Sequence, residues 1–367
     1  MNIARHAGRL PVRSALSLAV TALTASLSTQ AAEPLELAQL DVVSTTLLAG
    51  IELPREQFPA NIQTLDSLSL QRAGGLSLAD QLQRTLPSVN VNEIQGNPYQ
   101  ANLNYRGFTA SPLLGTPQGL SVFLDGVRVN EPFGDVVNWD LIPHTAIADL
   151  SLVPGSNPLY GLNTLGGALA LQTKRGDTHP GGTLEVYDGS FGRRGGSVEH
   201  GGKQGAFSWY VAAEGMKEDG WRDHSPSEVG QLFGKFAWTT DQTDLALTVA
   251  HADNELIGNG LVPERLAAQR RSAIFTHPDR TDNRSTLLAL SGSQWLSDRD
   301  RLSGNLYLRR TLTQTLNGDL NDEYAEVYDA WANAGFPSGE APNSGVLNRT
   351  RTDQQAAGLA LQWSRTA

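Results

Sequence analysis

Residues 121–130 read Ser-Val-Phe-Leu-Asp-Gly-Val-Arg-Val-Asn, and this stretch decides the fold of the first half of the chain. Two short runs rich in apolar residues, 121–124 and 127–130, flank the pair Asp125-Gly126. An Asp-Gly pair between such runs supplies the positive φ angles that a two-residue hairpin turn requires. We therefore predict a β-hairpin at this point.

Further short elements surround this hairpin. Leucine recurs at helical spacing between Ser77, a candidate N-cap, and Pro87, with Asp80 at the capping-box position. This pattern predicts a helix over residues 77–86. Strands are predicted at residues 88–93, 101–108 and 168–173. The order of these elements predicts a compact mixed α+β domain over residues 55–176.

The second half of the chain follows a different pattern. Segments of about ten residues alternate apolar and polar side chains, as in residues 207–214, and Gly, Asp, Asn or Ser turns separate them. Such alternation fits a soluble sandwich about as well as a membrane barrel. Eight strands are expected, near residues 182–190, 192–202, 206–217, 228–240, 242–254, 284–297, 300–315 and 354–365.

The N-terminus helps to choose between these two folds. It carries Arg5, Arg9 and Arg13 without an acid, then an apolar run over residues 15–27 and small residues up to Ala32. This order is typical of a secretory signal peptide, residues 1–32, with an amphipathic helix as the alternative. No later stretch is apolar enough for a membrane helix, and the only other structure that can span a membrane is a β-barrel. The expected export and the long hairpins together therefore favour antiparallel transmembrane β-barrel strands. A long stretch between the fifth and sixth strands suits an extracellular loop.

Composition and residue distribution weigh against several classes of function. The chain has 28 Lys and Arg against 38 Asp and Glu, and the cations do not cluster, which argues against a nucleic-acid partner. It contains no cysteine, which excludes disulfides and thiol catalysis. The seven His residues are dispersed, and no Ser, His and acid arrangement stands out. We therefore predict no catalytic residue, no metal bound by the protein and no cofactor.

Several short motifs resemble one family. Residues 105–108 (Tyr-Arg-Gly-Phe), 122–127, 158–161 (Pro-Leu-Tyr-Gly) and 166–169 (Gly-Gly-Ala-Leu) are similar in order and spacing to the plug domain of TonB-dependent outer-membrane transporters. The resemblance covers roughly residues 38–176. We expect structural roles, as turns, close backbone approaches or packed aromatics, for Arg106, Gly107, Phe108, Asp125, Gly126, Tyr160, Gly161, Gly166 and Gly167.

A segment ahead of the plug resembles the TonB box, the extended stretch that pairs with TonB in the periplasm. It consists of Leu40, Asp41, Val42, Val43, Ser44, Thr45 and Thr46. A flexible chain with β-branched residues can add as a strand to an exposed sheet edge. The alternative is an ordinary first strand. Residues 33–54 would then form an N-terminal periplasmic segment that carries the box.

The resemblance implies a function in the outer membrane of a Gram-negative bacterium. A plug would gate a barrel embedded in outer-membrane lipid, and TonB of the TonB-ExbB-ExbD complex would drive uptake of a ferric siderophore, cobalamin, another metal chelate or a carbohydrate. Any metal would arrive with the substrate. Outward-facing candidates for substrate binding are Gln118, Phe133 and Trp139, with a core role for the two aromatics left open.

The length of the chain does not suit a complete barrel of this family. A 22-stranded barrel needs at least ~220 residues in strands of about ten, whereas residues 178–367 number 190. We therefore predict the first eight or so strands of an incomplete barrel over residues 177–367, in a fragment. A passive outer-membrane channel or an adhesin-type barrel, without energy coupling, is the alternative function; it would need neither plug nor box.

Overall fold

The structure is a computed structural model that describes residues 42–44, 52–54, 60–156, 160–335 and 343–365. The expected signal peptide lies outside the described residues, as do four of the seven residues of the expected TonB box: Leu40, Asp41, Thr45 and Thr46. The other three form strand β1 (Val42–Ser44), which pairs antiparallel with β2 (Glu52–Pro54). No helix among the described residues is long and apolar enough to cross a membrane.

The N-terminal domain contains two small sheets and two helices. The first sheet contains β3 (Gln63–Asp66), β7 (Leu120–Leu124), β8 (Val127–Arg128), β9 (Ile147–Pro154) and β10 (Gly167–Thr173), in the order β3-β9-β10-β7-β8. The second contains β4 (Val89–Asn92), β5 (Asn102–Tyr105) and β6 (Phe108–Ala110). The helices are α1 (Ser67–Ala73) and α2 (Leu78–Thr85).

Local sequence explains most of these elements. Helix α2 confirms the predicted helix, and the Ser77 hydroxyl accepts from the backbone N–H of Asp80 at 3.3 Å. The predicted hairpin is also confirmed, with positive φ at both Asp125 and Gly126. The strand predicted over residues 101–108 is wrong. Arg106 and Gly107 have φ of 50° and 87°, so that they turn the chain and divide the segment into the hairpin β5–β6.

An apolar core joins the domain to the rest of the molecule. Leu82 of α2, Val122 of β7 and Leu171 of β10 are fully buried. Burial of each such side chain is worth about 1.5–3 kcal/mol. The same cluster includes Phe233 and Leu287, which lie in the second half of the chain. The N-terminal domain is therefore packed against the sheet that follows it.

The second half forms one antiparallel sheet in which each strand pairs with the next along the chain. Its strands are β11 (Gly181–Asp188), β12 (Arg194–Gln204), β13 (Phe207–Glu218), β14 (Ser227–Thr239), β15 (Thr243–Ile257), β16 (Asp279–Trp295), β17 (Asp300–Leu320) and β18 (Gly345–Arg365). The expected eight strands are confirmed. The last begins at Gly345 rather than near residue 354, because residues 348–353 are all polar and lack the alternation that predicts a strand. Within the described residues no pairing joins β18 to β11, and the sheet is open.

The two ends of this sheet differ. Short turns at residues 205–206, 240–242 and 296–299 connect the strands at one end, here called the short-turn end. Longer connections follow β13, β15 and β17 at the other end, the long-loop end, where residues 219–226 and 258–278 and helices α3 (Glu264–Gln269) and α4 (Tyr324–Asn333) lie. Transmembrane barrels place short turns in the periplasm and long loops outside the cell. Strand length rises from 8 residues in β11 to 21 in β17 and β18.

The two faces of the sheet also differ. Leucines such as Leu247, Leu306 and Leu361 are exposed on the outer face, and the aromatic rings of Trp238 and Trp363 lie there near the short-turn end. An apolar outer band with aromatics at its border is typical of a lipid-facing surface. The inner face carries small and polar residues that the N-terminal domain buries.

Candidate functional site

The inner face of the sheet holds the N-terminal domain through side chains from six neighbouring strands. We call this set the docking face. It consists of Glu199, Tyr210, Glu214, Gln231, Lys235, Asn254, Asn283, Asn305 and Arg309. Each of them contributes a hydrogen bond or an ion pair, directly or through a neighbour in the set, to a residue between 125 and 174. Any movement of the domain away from the sheet must break these contacts.

The tip of the predicted hairpin is one point of attachment. Lys235 of β14 lies 3.0 Å from a carboxylate oxygen of Asp125, and it also donates to the carbonyl of Thr173 at 3.2 Å. The Asp125 carboxylate accepts from the backbone N–H of Thr173 at 2.9 Å. Asn305 donates to the carbonyl of Gly126 at 3.2 Å. Asp125 is therefore an ionic contact to the sheet as well as a turn residue.

A second attachment lies where the N-terminal domain ends. The ammonium group of Lys174 is 2.6 Å from the carboxylate of Glu199, and the Tyr210 hydroxyl donates to the same carboxylate. Arg175 pairs with Asp244 at 3.0 Å. These ion pairs fix the segment that leads from β10 into the first strand of the sheet.

A third attachment joins Arg309 of β17 to the loop after β8. The guanidinium group donates to the carbonyl oxygens of Val129 at 2.7 Å and Asn130 at 2.9 Å, and it lies 3.3 Å from the carboxylate of Glu131. Both side chains are buried, at 6% and 1% exposure. Burial raises the pKa of the Glu131 carboxyl, and the charge of Arg309 opposes that shift. An ion pair this deeply buried is costly to separate.

A fourth attachment surrounds Asp140, which is fully buried. Its carboxylate accepts from the amide groups of Asn254 at 2.8 Å and Asn283 at 3.0 Å. Its backbone carbonyl accepts from Gln231 at 2.6 Å and again from Asn254 at 2.7 Å. Burial raises the pKa of the Asp140 carboxyl to about 6, although the bonds from the two asparagines favour its charged form.

The space between the two parts is small. A cavity of about 30 Å³ lies between Leu124 and Leu141 of the domain and Leu287 of the sheet, next to Glu131 and Arg309. Pockets that bind small molecules measure roughly 300–1,000 Å³. This cavity is too small for a small-molecule ligand, so that the plug and the sheet are closely packed here. Among the described residues no cluster of His, Asp and Glu could hold a metal ion.

Comparison with known proteins identifies the N-terminal domain. Residues 54–168 match the model of the TonB-dependent Receptor Plug Domain. This match covers about a third of the chain, and the predicted resemblance to the TonB-dependent receptors is confirmed. These are outer-membrane proteins of Gram-negative bacteria, and the predicted location is therefore confirmed. The predicted fold class, a plug domain followed by antiparallel barrel strands, is confirmed as well.

Individual relatives resemble this chain over part of their length. The ferric aerobactin receptor of Klebsiella pneumoniae is 30% identical over 109 residues, which are 30% of this chain and 13% of that protein. The vitamin B12 transporter BtuB of Vibrio vulnificus is 25% identical over 162 residues, which are 44% of this chain and 25% of that protein. This chain therefore matches a quarter or less of the length of either relative.

Solved structures show the same fold at low identity. The pyoverdine outer membrane receptor FpvA of Pseudomonas aeruginosa has a TM-score of 0.64 at 14% identity, covering 85% of this chain and 44% of that one. The open form of the ferric-catecholate import receptor Fiu of E. coli has a TM-score of 0.60 at 16% identity, covering 84% and 46%. The chain thus spans less than half of either structure.

The plug residues that the sequence singled out lie in turns and close contacts. Gly166 lies against the ring of Phe108, since an added Cβ would come 2.4 Å from it. Gly167 has φ of 152°, and an added Cβ would come 2.5 Å from the Val153 carbonyl. Tyr160 is buried, with its ring centroid 5.9 Å from that of Phe123. Arg106 and Gly107 form an exposed turn, and Gly161 also has positive φ.

The three candidate substrate-binding residues lie in different settings. The Gln118 side chain accepts from the backbone N–H of Ser111 at 2.9 Å and braces its own loop. Phe133 is 61% exposed, in keeping with an outward-facing position. Trp139 is 3% exposed and donates to the carbonyl of Ala110, so that it belongs to the plug core. Of the two roles left open for Trp139, outward-facing or core, the structure therefore shows the core role.

The residues that form the attachments were mostly missed. Asp125 was identified as a turn residue, whereas Glu131, Asp140 and Arg309 were not singled out. A signal was present for Arg309, because the alternation of β17 places this arginine on the inner face, where an unpaired charge is costly. Its partner is 178 residues away, and no local pattern connects the two.

Proposed function

We propose that this receptor takes part in TonB-dependent active transport of a scarce solute across the outer membrane, with the plug as the gate. The observation that carries this proposal is the docking face, which holds a matched plug domain against barrel strands through buried ionic and amide contacts. A gate needs contacts that close the passage and can also separate.

The composition of the interface suits a contact that can be released. Its apolar part on the sheet includes small residues such as Ala212, Ala250 and Ala289, which bury less area per residue than leucine. Its polar part consists of hydrogen bonds and ion pairs, each of which water can replace. A hydrogen bond contributes a net of about 0.5–1.5 kcal/mol, and about 1.5–3 when one partner is charged. A mechanical pull can therefore break the attachments one at a time.

The proposed source of that pull is TonB of the TonB-ExbB-ExbD complex, acting on residues 40–46. Strand β1, within this segment, supports the proposal, because its backbone is already extended. An extended strand can pair with a partner strand through main-chain hydrogen bonds. Inner-membrane proton-motive force would supply the work, and the plug would rearrange to pass the solute.

The proposed substrate is a metal chelate such as a ferric siderophore or cobalamin. The names of the relatives support this class, since they refer to ferric aerobactin, vitamin B12, pyoverdine and a ferric catecholate. We propose that the metal is carried by the substrate and that the receptor itself has no catalytic residue and no cofactor. The docked plug disfavours the alternative of a passive channel or adhesin.

The test of this proposal replaces Val43 in β1. Val43→Pro removes one backbone N–H and fixes φ near −65°, which the middle of an added strand tolerates poorly. In cells that express a full-length receptor, we expect this change to abolish energised uptake of a labelled chelate and to leave surface binding nearly intact. Val43→Ala is the matched control and should be mild, because main-chain bonds carry most of the contact.

The assay measures binding and uptake together, in cells with and without TonB. The labelled solutes are a ferric catecholate, a ferric hydroxamate and cobalamin. If the Val43→Pro variant takes up solute at the rate of the unmutated receptor, residues 40–46 are not a TonB box. Uptake by the unmutated receptor without TonB would favour the passive channel.

A further inference from the structure

Asp140 occupies an unusual position between the plug and the sheet. It lies in a turn of 3-10 helix, Trp139–Leu141, where its carboxylate contacts β15 and β16 and its backbone carbonyl contacts β14 and β15. The neighbouring Trp139 is packed into the plug core. This turn therefore connects the core of the plug directly to the wall of the barrel.

The groups that touch the Asp140 side chain are uncharged. Its carboxylate accepts from the side-chain amides of Asn254 and Asn283 and from its own backbone N–H. Two pairs of ionisable groups at the same interface involve plug residues between 131 and 144. One is Glu131 of the plug with Arg309 of β17. The other is His144 of the plug, 3.3 Å from Glu214 of β13. Asp140 thus lacks the cation that usually compensates a buried carboxylate.

The surrounding amides can serve either protonation state of Asp140. The Asn254 oxygen accepts from the backbone N–H of Gly230 at 3.0 Å, which fixes the orientation of that amide. The Asn283 oxygen accepts instead from the hydroxyl of Thr313 at 2.8 Å. A hydroxyl can donate or accept. If the Asn283 side-chain amide flips by 180°, its oxygen accepts a hydrogen bond from the protonated Asp140 carboxyl and its NH₂ group donates to the Thr313 hydroxyl.

We propose that Asp140 and its amide partners form a proton-sensitive catch, which holds the plug on the barrel wall more tightly when Asp140 is protonated. The docked geometry carries this inference. Its consequence for transport, a plug that releases more readily at neutral than at acidic pH, rests on the proposed function.

The direction and size of the effect follow from the two environments of the carboxyl group. In the docked plug its pKa is about 6, whereas a solvated carboxyl has 3.8. The docked state therefore binds more protons between these values, and docking weakens as pH rises through this range. From these two pKa values, the equilibrium constant for release of the plug increases about tenfold from pH 5 to pH 7 and changes little above pH 7.

The experiment is hydrogen–deuterium exchange of the 367-residue chain in detergent, followed in the peptide that covers residues 136–146. Protection factors, corrected for the intrinsic pH dependence of exchange, are compared at pH 5 and pH 7. We expect protection to fall about tenfold in the unmutated chain. Asp140→Asn, which keeps an uncharged group of the same shape, should show no such fall. Asp353→Asn, at an outward-facing carboxylate of β18, is the matched control and should behave like the unmutated chain.

The same data show whether each variant folds, through the protection of residues 120–124 in the plug sheet. If Asp140→Asn fails this check, Asn283→Asp replaces it. A second carboxyl beside Asp140 makes ionisation of both groups harder. The fall in protection between pH 5 and pH 7 should therefore become larger. Equal protection at pH 5 and pH 7 in the unmutated chain overturns the catch, as does a folded Asp140→Asn chain that keeps the fall. Neither result bears on TonB-dependent uptake, which the Val43 variants test separately.

Discussion

Replacing Arg309 tests whether the docking face holds the plug. Arg309→Gln removes the ion pair to Glu131 and the charged bonds to the carbonyl groups of Val129 and Asn130. Breaking a buried pair from one side costs about 3–5 kcal/mol, because a buried charge is left without its partner. Burial already raises the pKa of Glu131, so that this carboxyl can take up a proton and limit the loss. We therefore expect the lower end of that range, about 3 kcal/mol.

A double-mutant cycle separates the ion pair from the other contacts. Glu131→Gln leaves the two carbonyl bonds of Arg309 in place and should cost less than Arg309→Gln. The double variant should cost less than the sum, with a coupling energy of about 1.5–3 kcal/mol. The matched control is Arg310→Gln. This neighbour points outward, is 63% exposed and pairs with Asp353 at 2.7 Å, so that its loss should change the opening free energy far less than Arg309→Gln does.

The assay is exchange of the plug hairpin, residues 120–130, in the 367-residue chain at increasing urea concentration. The free energy of opening is extrapolated to zero urea for each variant. A coupling energy within about 0.3 kcal/mol of zero would refute the assignment of Arg309 and Glu131 as an attachment, since independent sites add to that accuracy. Equal losses in the free energy of opening for Arg309→Gln and Arg310→Gln would also refute this assignment.

Two further predictions concern single positions. Gly167→Ala should destabilise the plug by about 2–3 kcal/mol, because its Cβ would meet the Val153 carbonyl at 2.5 Å, whereas Gly107→Ala should cost about 1 kcal/mol, since only its positive φ is unfavourable. Urea midpoints of the two variants check this, and equal midpoints would contradict it. Export should be accompanied by cleavage near Ala31 or Ala32. Intact mass of envelope protein measures this, and a mature form that retains residues 1–27 would contradict it.

Local patterns predicted much of the fold. The Asp125-Gly126 pair gave the hairpin, the leucine spacing gave α2, and the two-residue alternation gave the eight strands in their observed order. Each of these signals acts over a few neighbouring residues. The turn at Arg106-Gly107 was missed because an Arg-Gly pair is a weaker hairpin signal than Asn-Gly or Asp-Gly.

Features that depend on distant partners were not predicted. Strand β9 pairs with β3, about 85 residues earlier, and with β10, and it was not recognised from its own sequence. The amide partners of Asp140 lie 91 to 143 residues away. A buried acid beside asparagines becomes visible only when the plug and the barrel wall are seen together. The burial of Trp139 also depends on the contact between plug and barrel wall, since this residue precedes Asp140 in the same turn.

The growth in strand length has a consequence for access to the plug. A tilted strand of about ten residues crosses the membrane. The 8 residues of β11 thus end close to the membrane surface, whereas the 21 residues of β17 and β18 continue well beyond it and carry α4 outward. The rim of the sheet slopes from one side to the other. In the proposed transport function, the plug is therefore less screened beside β11 and β12 than beside the longer strands β17 and β18.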